Sequence, residues 1–193
     1  LPGGSINNAV NALATDGINL YVGGAFTDVD NQGVVDAAAD YIAKWNGLYW
    51  SALGSNGSGN GSLNGPAIAI LTHGYDVYVG GAFTDIDNNG IALTAADRIT
   101  KWDGINWSAL GSNGGADGAL NNNVWTLGML GDKLFVGGRF TNVNNNSTVL
   151  NTADYIAAYE VCTSGSITVL NTNDSGAGSL RQAIADICSG GTI

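Results

Sequence analysis

The sequence predicts an all-β chain of three 57-residue units, each a four-stranded antiparallel sheet, followed by a short strand and an amphipathic helix. Three observations carry this expectation. The first is self-similarity: YVGGAFTDVDNQG at Tyr21 to Gly33 returns as YVGGAFTDIDNNG at Tyr78 to Gly90 and as FVGGRFTNVNNNS at Phe135 to Ser147. Val22, Val79 and Val136 keep a 57-residue interval, as do Trp45, Trp102 and Tyr159, and Asp40, Asp97 and Asp154. The second is that apolar residues fall in short runs bounded by turn residues, as strands require. The third is composition. With 45% hydrophobic and 11% charged residues, 30 glycines and two prolines, the chain suits a packed, turn-rich β protein. No run approaches the ~20 apolar residues that a spanning helix needs.

The units occupy about 6–62, 63–119 and 120–161, and residues 162–193 form a different tail. In the second unit, strands are expected at Ala67 to Leu71, Val77 to Phe83, Arg98 to Trp102 and Trp107 to Leu110. Asp16-Gly17 and His73-Gly74 supply turns between the first two strands, and Asn46-Gly47 and Asp103-Gly104 between the last two. Gly23-Gly24, Gly80-Gly81 and Gly137-Gly138 interrupt otherwise strong strands, so each pair marks a bulge or a close approach of backbone. The third unit keeps Tyr155-Ile156-Ala157-Ala158-Tyr159 but has Ser164 where the period places a tryptophan. Ser166 to Leu170 is the expected replacement for its fourth strand.

The pattern VGG-x-F-T, followed by I-x-K-W-[DN]-G-x-x-W-S-A-L-G, resembles the repeats of secreted bacterial β-propeller proteins of the kelch and galactose-oxidase type. The resemblance covers roughly Ile6 to Glu160 and implies that each unit is a propeller blade. Propellers typically close with four to eight blades. Three units therefore imply a piece of a longer chain, or sheets stacked in an open or intermolecular arrangement.

In the tail, Ser179 is a plausible helix N-cap. Leu180, Ile184 and Ile187 make one apolar stripe, and Gly190 ends the helix. ITVLNTNDSGAGSLRQAI, Ile167 to Ile184, resembles the opening cap of right-handed parallel β-helix proteins on bacterial surfaces. In an oxidising compartment Cys162 and Cys188 could pair and staple this helix to the third unit. Leu1 begins without a charged, apolar signal region, so a removed leader or an excised piece is expected.

Sixteen acidic residues face six basic ones, a formal net charge of −10 at pH 7, and every acid except Glu160 is Asp. Such a surface repels phosphate backbones and excludes nucleic acid as a partner. Few Lys and Glu among abundant Asn, Gly, Ser and Thr is the style of extracellular and cell-surface β proteins.

The nearest thing to a site is the DxDxxG loop. Calcium prefers several oxygen ligands, and Asp28, Asp30, Gln32 and Asp36 fit the 1, 3, 5, 9 spacing of calcium loops. Asp85, Asp87 and Asn89 fit it in part, Leu93 standing at the ninth position. The third copy has Asn142, Asn144 and Asn146, with no carboxylate. The competing reading is that Asx residues stabilise turns through their own backbone. Asp40, Asp97 and Asp154 are expected to accept backbone hydrogen bonds at a strand entry. Trp45, Trp50, Trp102 and Trp107 recur and favour packing between units, whereas unrepeated Trp125, with Tyr49, is a candidate for surface contact. His73 is the only histidine, and there is no G-x-S-x-G elbow, zinc cluster or phosphate-cradling loop.

The expectation is a non-catalytic, extracellular structural or adhesive repeat protein. It would meet copies of itself, or neighbouring repeats of a longer chain, through unpaired strands and build a filament or surface layer. The alternative is a glycan- or protein-binding propeller module of a larger cell-surface protein.

Overall fold

The computed structural model describes residues 4–161. The expected tail strand and helix and the Cys162 and Cys188 pair lie outside the described residues.

In the first unit β1 (Gly4–Ile6) leads into β2 (Val10–Thr15) and β3 (Leu20–Gly24). A small hairpin follows, β4 (Val29–Asn31) and β5 (Val34–Asp36), and then β6 (Ile42–Trp45) and β7 (Trp50–Ala52). β2, β3, β6 and β7 make one antiparallel sheet in chain order, and β1 pairs with β4. The second unit repeats this with β8 (Ala67–His73), β9 (Asp76–Gly81), hairpin β10 (Ile86–Asn88) and β11 (Ile91–Leu93), β12 (Ile99–Trp102) and β13 (Trp107–Ala109). The third has β14 (Val124–Leu130), β15 (Lys133–Gly138), hairpin β16 (Val143–Asn145) and β17 (Thr148–Leu150), and β18 (Ile156–Glu160). Its sheet, β14-β15-β18, has three strands among the described residues.

The turns hold as their chemistry requires. Gly17, Gly47, Gly74 and Gly104 all have positive φ. Asn46 Oδ1 accepts from the amides of Leu48 and Tyr49, and Asp103 Oδ1 from those of Ile105 and Asn106. Strand ends differ from expectation where geometry leaves the ladder. Arg98 has φ of 64° and cannot start an extended strand, so β12 begins at Ile99. β9 stops at Gly81, because the next amide, that of Ala82, turns to the carbonyl of Pro66.

The extra hairpin of each unit is the feature that a four-strand reading missed. Gln32 and Gly33 have φ of 59° and 92°, and Asn89 and Gly90 have 53° and 90°. Two successive positive φ values make the tight hairpin turn that Asn-Gly favours. Asn89-Gly90 between Ile86 and Ile91 was the available signal.

The glycine pairs show how sheets approach one another. β2, β8 and β14 each carry a bulge opposite the pair, between Val10 and Ala12, Ala67 and Ala69, and Val124 and Thr126. A Cβ on the second glycine would fall 2.1 to 2.3 Å from a carbonyl of its own unit: Ala9 for Gly24, Pro66 for Gly81, Asn123 for Gly138. A Cβ on the first would strike the next unit: Gly23 meets Ile70 at 2.8 Å and Ala67 at 2.9 Å, and Gly80 meets Val124 at 2.3 Å. Among the described residues three apolar cores result. Tyr21 and Ile42 pack with Val77, Val79, Phe83 and Trp107 between the first two units. Tyr78 and Ile99 pack with Val124, Leu134, Val136 and Phe140 between the second and third. Val22, Phe26, Val29, Ala43 and Trp50 form a core within the first.

Gly81→Ala should therefore cost about 1–3 kcal/mol in urea unfolding, because backbone opposes the methyl. Gly128→Ala, with nothing within 4 Å of its Cβ, should stay within about 0.5 kcal/mol of the parent.

Candidate functional site

The DxDxxG stretch lies on the first hairpin. Val29 pairs with Asp36 and Asp30 with Val35, so Asp30 and Asp36 project from opposite faces of the small three-stranded sheet β1-β4-β5. Each carboxylate has backbone or side-chain partners. Asp30 Oδ1 accepts from the amide of Gly33 across the turn. Asp36 accepts from the amides of Ala38 and Ala52, both at 3.1 Å. Asp28 Oδ2 accepts from Asn7 Nδ2 at 3.2 Å, while Gln32 is exposed at the turn. On the second hairpin Asp87 Oδ1 accepts from the Gly90 amide at 2.7 Å. Asp85 and Asn89 sit at positive φ, and Asn89 Oδ1 faces Ser55 Oγ at 3.4 Å. Among the described residues no group of three or more His, Cys, Asp or Glu side chains gathers as metal ligands.

Two clefts of about 350 Å³ lie where one unit meets the next. The first is lined by Asp40, Tyr41, Asn56, Asn60, Asp85 and Asp87; the second, one period later, by Asp97, Arg98, Asn113, Asp117, Asn142 and Asn144. Asp40 and Asp97 organise them. Asp40 Oδ2 accepts from the amide of Gly61 at 3.0 Å, and Asp97 Oδ2 from that of Gly118 at 3.1 Å. Asp97 Oδ1 also accepts from the amide of Asp85 at 2.8 Å. For Asp40 and Asp97 the expected role as acceptor holds, with a donor in the linker 21 residues on, entering the next unit. The linker must come close. A Cβ on Gly61 would lie 2.7 Å from Asp40 Cβ, and one on Gly118 would lie 2.8 Å from Asp97 Cβ.

A strained residue follows each of Asp40, Asp97 and Asp154. Tyr41, Arg98 and Tyr155 have φ of 62°, 64° and 65°. The amides of Ile42 and Ile99 reach back over them to the carbonyls of Asp40 and Asp97, at 2.8 and 2.7 Å. These i to i+2 turns are rare for residues with a side chain and cost roughly 1–3 kcal/mol each. The same turn aims the acid at the linker and returns the chain to the sheet. Arg98 also donates Nη1 to the Ala82 carbonyl and to Asn123 Oδ1, at 2.9 and 3.0 Å, which ties the second unit to the third.

Burial raises the pKa of Asp40 above its usual 3.8, and the neighbouring Asp28 and Asp36 carboxylates add to this against the Gly61 hydrogen bond. Partial burial, then the Asp97 and Asp117 carboxylates, push exposed Asp85 the same way. At the β2–β3 turn Asp16 goes lower. There burial is outweighed by hydrogen bonds from Asn19, Ile18 and Tyr21.

The recurring tryptophans pack first within their own unit. Trp45 and Trp50 are 5.3 Å apart between ring centroids, and Trp102 and Trp107 are 5.2 Å apart. Trp107 also reaches the preceding unit, donating Nε1 to the Leu53 carbonyl at 2.7 Å. Trp125 and Tyr49 are exposed, and the Arg139 guanidinium stands 5.8 Å from the Trp125 ring. Sequence reasoning did not single out Asn31. Its side chain exchanges hydrogen bonds with both backbone groups of Trp50, standing in for a strand partner. Asn88, its counterpart, accepts from the Trp107 amide at 3.4 Å.

No protein-family model and no curated protein matches the chain. Among solved structures, the crystal structure of the computationally designed Ika4 protein is similar over 81% of this chain and 93% of that one, at 14% identity and a TM-score of 0.36.

Asp97→Ala should cost roughly 1.5–3 kcal/mol in chemical unfolding, since two amides lose a charged acceptor. Asp97→Asn, which keeps one acceptor oxygen, should cost less. A raised folded pKa means that the native state holds the proton longer than the unfolded chain does. The Asp40 contribution is thus fully present below pH 3.8 and is lost as pH rises through the folded value. Between pH 3.5 and 6 the stability of Asp40→Asn should accordingly gain on the parent. Asp30→Asn preserves the acceptor for Gly33 and should shift stability by no more than about 0.5 kcal/mol. Millimolar calcium should leave the melting temperature of both proteins unchanged. A calcium-dependent rise in the parent that Asp30→Asn lacks would instead establish an ion site.

Proposed function

We propose that this chain is a non-catalytic extracellular repeat protein of propeller-blade type, doing structural or adhesive work by assembling with further copies. One observation carries the reading. Ile42 and Ile99 are 2% and 1% exposed beneath the following unit, whereas Ile156, the same position in the third unit, is 61% exposed. Among the described residues the third sheet thus leaves exposed a position of the kind that its two predecessors bury. Carboxylates and tryptophans recur at structural positions, as latches and ring pairs, which supports a scaffold more than a reaction centre. The acidic, Lys-poor surface favours an extracellular setting.

A second reading, a glycan- or protein-binding module, draws on the exposed rings of Trp125 and Tyr49, at 53% and 55%. An aromatic face beside a guanidinium suits stacking on a sugar or a peptide. Electron microscopy of the purified chain separates the two. Fibres, rings or lattices are the expected result; a strictly monomeric species that retains a glycan overturns the assembly reading.

A further inference from the structure

We infer that the back of the first unit and the front of the third are two halves of one interface, and that the occupant of each is a second copy of this chain, docked head to tail. The inference rests on the assembly reading and names its contact: face on face, in the register already used twice within the chain.

The internal interfaces define what each half needs. The front of a unit offers the first glycine of its pair and the isoleucine of the third strand. The back of the next offers two side chains of its first strand. Gly23 receives Ala67 and Ile70, and Gly80 receives Val124 and Leu127. Ala67 and Val124 are fully buried by this contact, and Ile70 and Leu127 pack against the cores that it forms. The hydrogen bond from Asn11 Nδ2 to the Ala67 carbonyl, at 3.1 Å, and that from Thr72 Oγ1 to the Thr15 carbonyl, at 2.8 Å, fix the strands alongside.

At the ends of the described chain the same positions lack their counterparts. Val10 and Leu13, equivalent to Ala67 and Ile70, are 44% and 63% exposed. At the other end Ile156 is exposed, and among the described residues Gly137 faces the Thr126 methyl of its own unit and no residue of another. Because an exposed back and an exposed front lie on one chain, a second copy answers both through side chains already suited to each other. Two faces that differ in this way make a heterologous contact rather than an isologous one.

The test is sedimentation of the full chain in 150 mM salt, which screens the repulsion between acidic copies. The parent should sediment as an assembly. Leu13→Asp and Ile156→Asp change exposed residues, so each should remain folded. Each should raise the dissociation constant by about 100-fold, because the contact would bury an unpaired carboxylate. Ile18→Asp, at an 85% exposed turn position, should change nothing. Mixing the Leu13→Asp and Ile156→Asp proteins should restore a two-copy species, since one retains an intact front and the other an intact back. Assembly that survives both substitutions overturns the face assignment and leaves the assembly reading standing. A monomeric parent overturns both.

Discussion

The close approach of one sheet to the next, made at Gly23 and Gly80, is the constraint on which the rest of the structure depends. The first strand of each following unit brings Ala67 and Ile70, or Val124 and Leu127, to where a glycine Cβ would stand. Any side chain there would hold the sheets apart and open the cores that contain Phe83 and Phe140, both fully buried. The second glycine of each pair serves the same end locally. It lets the bulged first strand fold its carbonyl over the pair, and the bulge adds the twist with which one sheet meets its neighbour. Strand propensity is given up at two positions, and packing between sheets is gained over a whole face.

The acids work on the same junction from its rim. Asp40 and Asp97 each sit before a residue held at positive φ and receive the amide of the incoming linker. Burial disfavours a carboxylate there, and the Asp28 and Asp36 carboxylates add to it, which raises the pKa of Asp40. What offsets the cost is specificity: one geometry fixes strand re-entry, linker path and the spacing of units together. The two clefts are alike in volume but not in charge. Asp85 and Asp87 of the first become Asn142 and Asn144 in the second, where Arg98 replaces Tyr41, while the acid that holds the linker stays.

Repetition made much of this legible in the sequence. The 57-residue interval located the units, the Asx-Gly pairs located the turns, and the VGG pairs announced a bulge or a close approach, of which both occur. The hairpins β4–β5, β10–β11 and β16–β17 were less legible because their strands are only three residues long and their turn residues also fit a calcium-loop spacing. A spacing rule counts residues along the chain. The pleat decides which face each one takes, and it sends Asp30 and Asp36 apart. The partner of Asp40 was illegible for another reason. Gly61 is 21 residues away, in a linker whose path depends on packing between units, and no local pattern encodes it. Asn31 is an ordinary turn residue by composition, and its bond to Trp50 follows only from the way the hairpin lies along the last strand.

A junction built from repeated parts sets no intrinsic limit on the number of units that it can join. Each unit presents to its successor what its predecessor presented to it, so the energy of a junction is repeated with every addition. What ends such a series is closure of the ring, a cap that differs from the repeat, or another molecule. Within the described residues Leu13 and Ile156 carry no sign of a cap, since both are large, apolar and more than 60% exposed where a capped edge would be polar. The angle between successive sheets then decides the outcome. If it brings the sixth sheet back to the first, two copies close a ring within the four-to-eight-sheet range of propellers. If it does not, the same contact continues as an open filament. The chemistry of the junction is identical in both cases, which is why substitutions on the two faces report on the contact and not on the shape that it builds.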